Sequence, residues 1–261
     1  MAETRRSPLP PENVYGHTKK LRFILDAIRS FREGRAGPVR LLDFGCGNGS
    51  AVSQFLMGEG IRYHGVDIHE PSLEYARRHF GGADATFHDH VPPGVLFDVI
   101  VYADVLEHLD DPVSVLREHA SVLAPGGMIV GAVPNGYGPF ENEKRLDAVL
   151  GVSRLLRLGG RVRRAVLRRP APTRAGAIPY NIDSGHVQFY TRGSLFRTLK
   201  RGGFRVERFA NGAFLGAPLS ERFLLRGERI ARANARVADL LPWWAVSAWY
   251  FTARRAEDPG G

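Results

Sequence analysis

The sequence predicts a doubly wound α/β fold on a mostly parallel sheet, and three observations carry that expectation. Short apolar runs alternate with amphipathic stretches between Val39 and Val133, the pattern of parallel strands joined by crossover helices. The runs are apolar throughout, as in strands buried on both faces. A glycine-rich turn, Gly45-Cys46-Gly47-Asn48-Gly49, follows the first of them, where ligand-binding turns occur in such sheets.

Each element has its own local reason. Strands are expected at Val39–Phe44, Ile61–Val66, 83–87, 97–102 and 128–133, each too short for a globular helix and bounded by Gly, Asp or Pro. A helix over 18–33 precedes the first strand and can close over the sheet edge. The glycine turn is expected to open a helix. Pro71 starts a helix that Gly81-Gly82 stops, and Asp110-Asp111-Pro112 starts one that Pro125-Gly126-Gly127 stops. After roughly fifty interrupting residues, 135–186, the alternation resumes with a helix over 191–201, a strand over 204–209, a long helix over 220–241 and a closing strand over 245–254. The expected organisation is an N-terminal arm and lid helix (1–37), a cofactor-binding core (38–134), an arginine-rich cap (135–186), the completion of the sheet (187–254) and a flexible tail (255–261).

With 261 residues, 44% hydrophobic and 24% charged, the chain can bury one sizeable core, and intrinsic disorder is excluded. A single cysteine, Cys46, excludes an intramolecular disulfide framework and a multi-cysteine zinc site. No run approaches the ~18 apolar residues of a membrane span, and the first residues lack the apolar segment of a secretory signal. A reducing cytoplasm is the expected compartment. The net charge of +9 is local: eight arginines and no acid lie between Ala148 and Ile182.

The glycine turn reads as a nucleotide-cofactor site, because a cofactor must pass close to a sharply turning backbone without meeting a Cβ. Charge selects the cofactor class. A pyrophosphate needs N–H groups and no nearby anion, yet Asp43 ends the strand just before the glycines, and the spacing is G-x-G-x-G. A carboxylate there favours the ammonium of an amino-acid cofactor. Asp67, ending the second strand, can accept both hydroxyls of a ribose. Asp89, after the third, can accept from an adenine amino group. Strand ends on one sheet edge place the three acids around one crevice.

Together Asp43–Gly49, Asp67, Asp89, Phe97-Asp98-Val99-Ile100 and Leu123-Ala124-Pro125-Gly126-Gly127 resemble the successive motifs of the class I, Rossmann-like S-adenosylmethionine-dependent methyltransferases. The resemblance covers about residues 38–134 and, more weakly, 186–254. It implies a seven-stranded sheet with an antiparallel last strand and an insertion after strand five. It implies S-adenosylmethionine as the cofactor, held by Asp43, Gly45, Cys46, Gly47, Gly49, Asp67, Ile68, Asp89, Ala103 and Asp104.

After the fourth strand comes Ala103-Asp104-Val105-Leu106-Glu107-His108. His108 is the candidate base, since an imidazole titrates near neutrality and can take a hydroxyl proton as the oxygen attacks. His186 can return to the same pocket. With Glu107 these form the expected catalytic group. The set Asp104, Glu107, His108 and His186 also resembles an arrangement in ubiquinone-pathway O-methyltransferases and small-RNA 3′-terminal 2′-O-methyltransferases, which implies a divalent metal on those four residues. Asp104 stands where those families commonly carry Glu, which shortens the reach. The alternative is that Glu107 and His108 cap a helix or support the cofactor without metal. His17, His64, His69, His79, His88, His90 and His119 read as loop or helix-surface residues.

Leucines and valines alternate with arginines over 150–169, a basic amphipathic stretch suited to an anionic membrane surface or a phosphate-bearing acceptor. Nucleic acid is disfavoured, because no aromatic for base stacking lies between Phe140 and Tyr180. Trp243, Trp244, Trp249, Tyr250 and Phe251 read as core of the last strand. The expected activity is methylation of a hydroxyl on a small or lipid-like acceptor, by a cytoplasmic enzyme peripheral to the inner face of a membrane. The alternatives are metal-assisted methylation of a vicinal diol, catechol or RNA end, N-methylation, and a cofactor-binding assembly protein without turnover.

Overall fold

The computed structural model describes residues 9–152, 154, 179, 185–216, 220 and 227–256. Seven strands, β1 (Val39–Phe44), β2 (Ile61–Val66), β3 (Ala85–His88), β4 (Phe97–Ala103), β5 (Leu123–Pro134), β6 (Phe204–Asn211) and β7 (Ala248–Arg255), form one sheet in the order β3-β2-β1-β4-β5-β7-β6. β1 to β5 pair in parallel, and β7 runs antiparallel to both β5 and β6. The helices are α1 (His17–Arg32), α2 (Ser53–Leu56), α3 (Glu70–Phe80), α4 (Pro112–Val122), α5 (Pro139–Leu150), α6 (Arg192–Arg201) and α7 (Glu228–Leu240).

Alternation along each strand divides the core. On one face Leu41, Tyr63, Val99, Val101 and Val130 pack against Phe23, Ile24, Ala27, Ile28 and Phe31 of α1 and Leu73 and Ala76 of α3. On the other, Leu42, Val66, Ile100, Tyr102, Ile129 and Val133 meet Leu116 of α4, Leu195 and Leu199 of α6 and Ala238 of α7. Burying each large aliphatic or aromatic side chain stabilises by about 1.5–3 kcal/mol, so the period of two in the strands and the α1 stripe fix the layering together.

The expected strands and helices are present, with instructive departures. The glycine turn opens only the four-residue α2, because Gly58 and Gly60, with φ of 153° and 72°, end any helix there. α5 lies inside the segment read as an interruption. It starts with Pro139 in its first turn and ends at Gly151 in the left-handed conformation. The closing strand begins at Ala248, after a 3-10 turn over Trp243–Ala245. Trp249, Tyr250 and Phe251 are core as expected, whereas Trp243 and Trp244 are 42% and 62% exposed. Most of the arginine-rich stretch, residues 221–226 of the expected long helix, and all but 255 and 256 of the expected tail lie outside the described residues.

His119 is a correction to the surface reading. It is 2% exposed, its Nδ1 is hydrogen-bonded to the Tyr102 hydroxyl at 2.6 Å, and its ring lies edge-on to Phe44. Burial pushes its pKa down to about 4. In the unfolded chain an imidazole titrates near 6.5. Between those values the unfolded state binds a proton that the folded state refuses, so the contribution is complete above about pH 6.5 and is lost as pH falls toward 4. In His119→Gln, unfolding free energy measured by denaturant titration is expected to fall less steeply over that window, by up to about 3 kcal/mol in total. Parallel curves for the two proteins would refute the assignment.

Candidate active site

Strand order reverses direction between β1 and β4, and in such sheets the crevice beyond the C-terminal strand ends at that point receives the ligand. A cavity of about 630 Å³ opens there. Of the residues expected at the site, Asp43, Gly45, Cys46, Gly47, Ala103, Asp104, Glu107, His108 and His186 line it.

The β1 side is held by a buried acid. The Asp43 carboxylate accepts from the Ser53 hydroxyl at 2.6 Å and the Tyr63 hydroxyl at 2.7 Å. Burial raises its pKa, and the two hydroxyls pull the other way. The turn itself is pinned by Gly45 and Cys46 N–H groups donating to the Val66 carbonyl at 2.7 and 3.0 Å. Gly45 has φ 78°, and a Cβ there would meet Val105 at 2.5 Å. Gly47, with φ 55°, has open space where its Cβ would project, which is the approach a cofactor needs. Burial pushes the Cys46 thiol up, so it is no nucleophile.

Asp67, Ile68, Gly49 and Asp89 stand outside the cavity lining. Asp67 closes on the turn: Oδ2 accepts from Gly47 N at 2.7 Å and Oδ1 from His69 N at 2.9 Å, leaving one lone pair on each oxygen for a ligand. Ile68 is 87% exposed beside it. Gly49 packs under Phe80, where a Cβ would come within 2.8 Å. Asp89 is exposed and bonds His90 Nδ1 at 2.5 Å.

On the β4 side, Asp104 has φ 59°, the one positive value outside glycine among the described residues, and such strain concentrates at functional sites. Its carboxylate forms an ion pair with Lys20 of α1, so the structure gathers Glu107, His108 and His186 but gives Asp104 another partner. Glu107 is 1% exposed. Its carbonyl accepts from Val187 and Gln188 N–H at 2.9 Å, docking the returning segment, and its buried Oε2 has no hydrogen-bond partner among the described residues. Burial, then the nearby Asp104, raise its pKa well above the usual range.

The two histidines share a tautomer. His108 Nδ1 lies 3.1 Å from the Gly185 carbonyl, which only accepts, so Nδ1 carries the hydrogen. His186 Nδ1 lies 2.8 Å from Glu141 Oε1 and donates likewise. Among the described residues neither Nε2 has a hydrogen bond; His108 Nε2 lies 4.0 Å from Glu107 Oε1, and the two rings are 5.0 Å apart. Burial lowers the His186 pKa, against the opposing pull of Glu141. One ligand atom each from Glu107, His108 and His186 lies within 4.8 Å of the others. A carboxylate and two imidazoles suit a divalent ion, and the orphaned Oε2 gives that ion a reason to be there.

Sequence reasoning missed Tyr15, His17, Lys20 and Phe140, which also line the cavity, and Glu141, a buried acid on α5. His17, read as surface, places its Nε2 3.2 Å from the Ala51 carbonyl. The spacing of His17, Lys20 and Ile24 on one side of α1 was the available signal.

Comparison with known proteins agrees with this geometry. A methyltransferase-domain family matches residues 15–208. The ubiquinone biosynthesis O-methyltransferase of Vibrio vulnificus (strain YJ016) is 32% identical over 143 residues, which cover 51% of this chain and 58% of that protein. The match thus spans little more than half the relative's length. Among solved structures, geranyl diphosphate C-methyltransferase from Streptomyces coelicolor A3(2), in complex with Mg²⁺, geranyl diphosphate and S-adenosyl-L-homocysteine, superposes with a TM-score of 0.53 at 15% identity, over 92% of this chain and 79% of that one. Magnesium protoporphyrin IX methyltransferase from Synechocystis PCC 6803 with bound S-adenosylmethionine gives 0.50 at 15%, over 92% and 80%. At such identities the likeness is one of fold. Family match, strand order and glycine turn together establish that the chain belongs to the class I S-adenosylmethionine-dependent methyltransferases.

Proposed function

We propose that the enzyme methylates a hydroxyl oxygen of a small-molecule acceptor, with His108 and His186 receiving the proton. The observation that carries this reading is the pair of cavity-lining imidazoles whose Nδ1 atoms are engaged by the Gly185 carbonyl and Glu141, which leaves Nε2 as the nitrogen to receive a proton. The O-methyltransferase relative supports oxygen over nitrogen, as does the provision of a base, which a hydroxyl needs more than an amine.

S-Adenosylmethionine supplies, when bound, a methyl activated by its sulfonium. Asp43 and the Gly45–Gly47 turn hold the amino-acid end, with Cys46 and Ala103 as neighbouring walls. Asp67 accepts from the ribose, Ile68 covers the adenine, and Asp89 reaches its edge. With the cofactor bound, the cavity would align an acceptor oxygen with that methyl, and His108 or His186 would receive the hydroxyl proton at Nε2. Alignment in such a cavity supplies much of the acceleration. Glu141 is a positioning residue, fixing the His186 tautomer. α1 forms the lid, and Phe140 of α5 and His186 the acceptor side.

A second reading, metal-assisted methylation of adjacent hydroxyls, is favoured by the buried Glu107 carboxylate, one oxygen of which lies within 4.8 Å of a ring nitrogen of each imidazole. Glu107, His108 and His186 would hold the ion, which would lower the pKa of a bound hydroxyl. Lys20 keeps Asp104 from joining them.

Asp67→Ala is expected to weaken S-adenosylhomocysteine binding by calorimetry roughly tenfold to a hundredfold, and unchanged affinity would remove Asp67 from the site. His108→Ala and His186→Ala are expected to lower kcat by about 10²–10⁴ with cofactor affinity intact. Glu141→Leu should lower kcat by roughly 10–100-fold, and Glu141→Gln by less, since its amide oxygen still accepts from Nδ1. Activity surviving a strong chelator selects the base reading, whereas loss reversed by Mn²⁺ selects the metal.

A further inference from the structure

Helix α7 is inverted relative to an ordinary surface helix. Its inward face consists of Ala231, Asn234, Ala235 and Ala238, whereas its larger apolar side chains point out: Ile230 is 45%, Val237 41% and Leu240 86% exposed. Ile230, Ala233, Val237 and Leu240 follow the spacing of a single helical stripe. Arg229, Arg232 and Arg236 run alongside it, and with Ala233, Val237 and Leu240 they line a shallow depression. The chain then turns through Pro242 into Trp243 and Trp244, both exposed, with the Arg192 guanidinium 5.8 Å from the Trp243 ring.

The acids of α7 do not cancel this charge. Glu228 pairs with Arg232 at 2.5 Å, and Asp239 with Lys19 of α1 at 2.6 Å. Among the described residues no ion pair engages Arg229 or Arg236.

We propose that this face of α7, with Trp243 and Trp244, docks the protein on an anionic membrane surface. A stripe of aliphatic side chains bordered by arginines is the pattern of helices that lie in the headgroup region, and tryptophan favours the same depth. Two-fold self-association through the stripe would bring arginines against arginines. A nucleic acid would leave Ile230, Val237 and Leu240 without apolar contact. The surface is separate from the catalytic cavity, so the proposal does not depend on the methyl acceptor, and it does not use the arginines of 150–169.

The test is co-sedimentation of the full chain with vesicles of phosphatidylcholine and phosphatidylglycerol, against phosphatidylcholine alone. Binding is expected only with phosphatidylglycerol and should weaken with added salt. Arg229→Ser/Arg236→Ser should weaken it roughly tenfold or more, and Arg229→Lys/Arg236→Lys should largely retain it. Leu240→Ser/Trp244→Ser should weaken it in both low and high salt. All four positions are exposed, so thermal melting and S-adenosylhomocysteine affinity should match the parent protein. Failure to bind anionic vesicles would overturn the proposal. So would binding undiminished in both serine variants, which would place membrane contact elsewhere, or a dimer that the same substitutions abolish, which would make the face an interface between copies.

Discussion

A carboxylate buried beneath the glycine turn is the constraint on which the site depends. Asp43 ends β1, takes a hydroxyl bond from Tyr63 on β2 and another from Ser53 at the start of α2, and so ties together the three segments that define the turn. Burying a charge is costly unless it is hydrogen-bonded, and two hydroxyl donors answer that cost only while these segments keep their places. The left-handed glycines can then hold the strained path at Gly45 and Gly47, because the turn is anchored on both sides.

The opposite wall of the cavity is assembled from distant parts of the chain. The 3-10 turn over Leu106–His108 that follows β4 supplies Glu107 and His108. The segment after residue 185 supplies His186 and is docked on the Glu107 carbonyl, while α5 supplies Glu141 to orient it. Lys20 of α1 draws Asp104 away from this group. Two imidazoles and one buried acid therefore line this end of the cavity. In the proposed O-methylation these three groups take a proton or hold a cation.

Much of the sheet was legible because its signals are local. Pro71 and Gly81-Gly82 bound α3, the apolar runs bound β1 and β2, and the glycine turn announced the crevice. What stayed hidden depends on tertiary placement. Glu141 is a charged residue on a helix of mostly exposed side chains, and only the return of His186 makes it a buried partner. The family resemblance implied a ligand set that included Asp104, but Lys20, 84 residues away, pairs with its carboxylate. His119 was legible in principle: with Pro112 and Leu116 it follows the buried stripe of α4, yet a histidine among polar neighbours read as surface. The tryptophans divide because β7 starts at Ala248, beyond Trp243 and Trp244.

The most direct measurement is a crystal structure of the S-adenosylhomocysteine complex, with the sulfur located by anomalous scattering. The account predicts that the amino-acid end lies against the Gly45–Gly47 backbone and that the sulfur faces the Nε2 atoms of His108 and His186 across a gap wide enough for one acceptor oxygen and a methyl group. A sulfur turned toward Tyr15 and His17, with both imidazoles remote from it, would contradict the account.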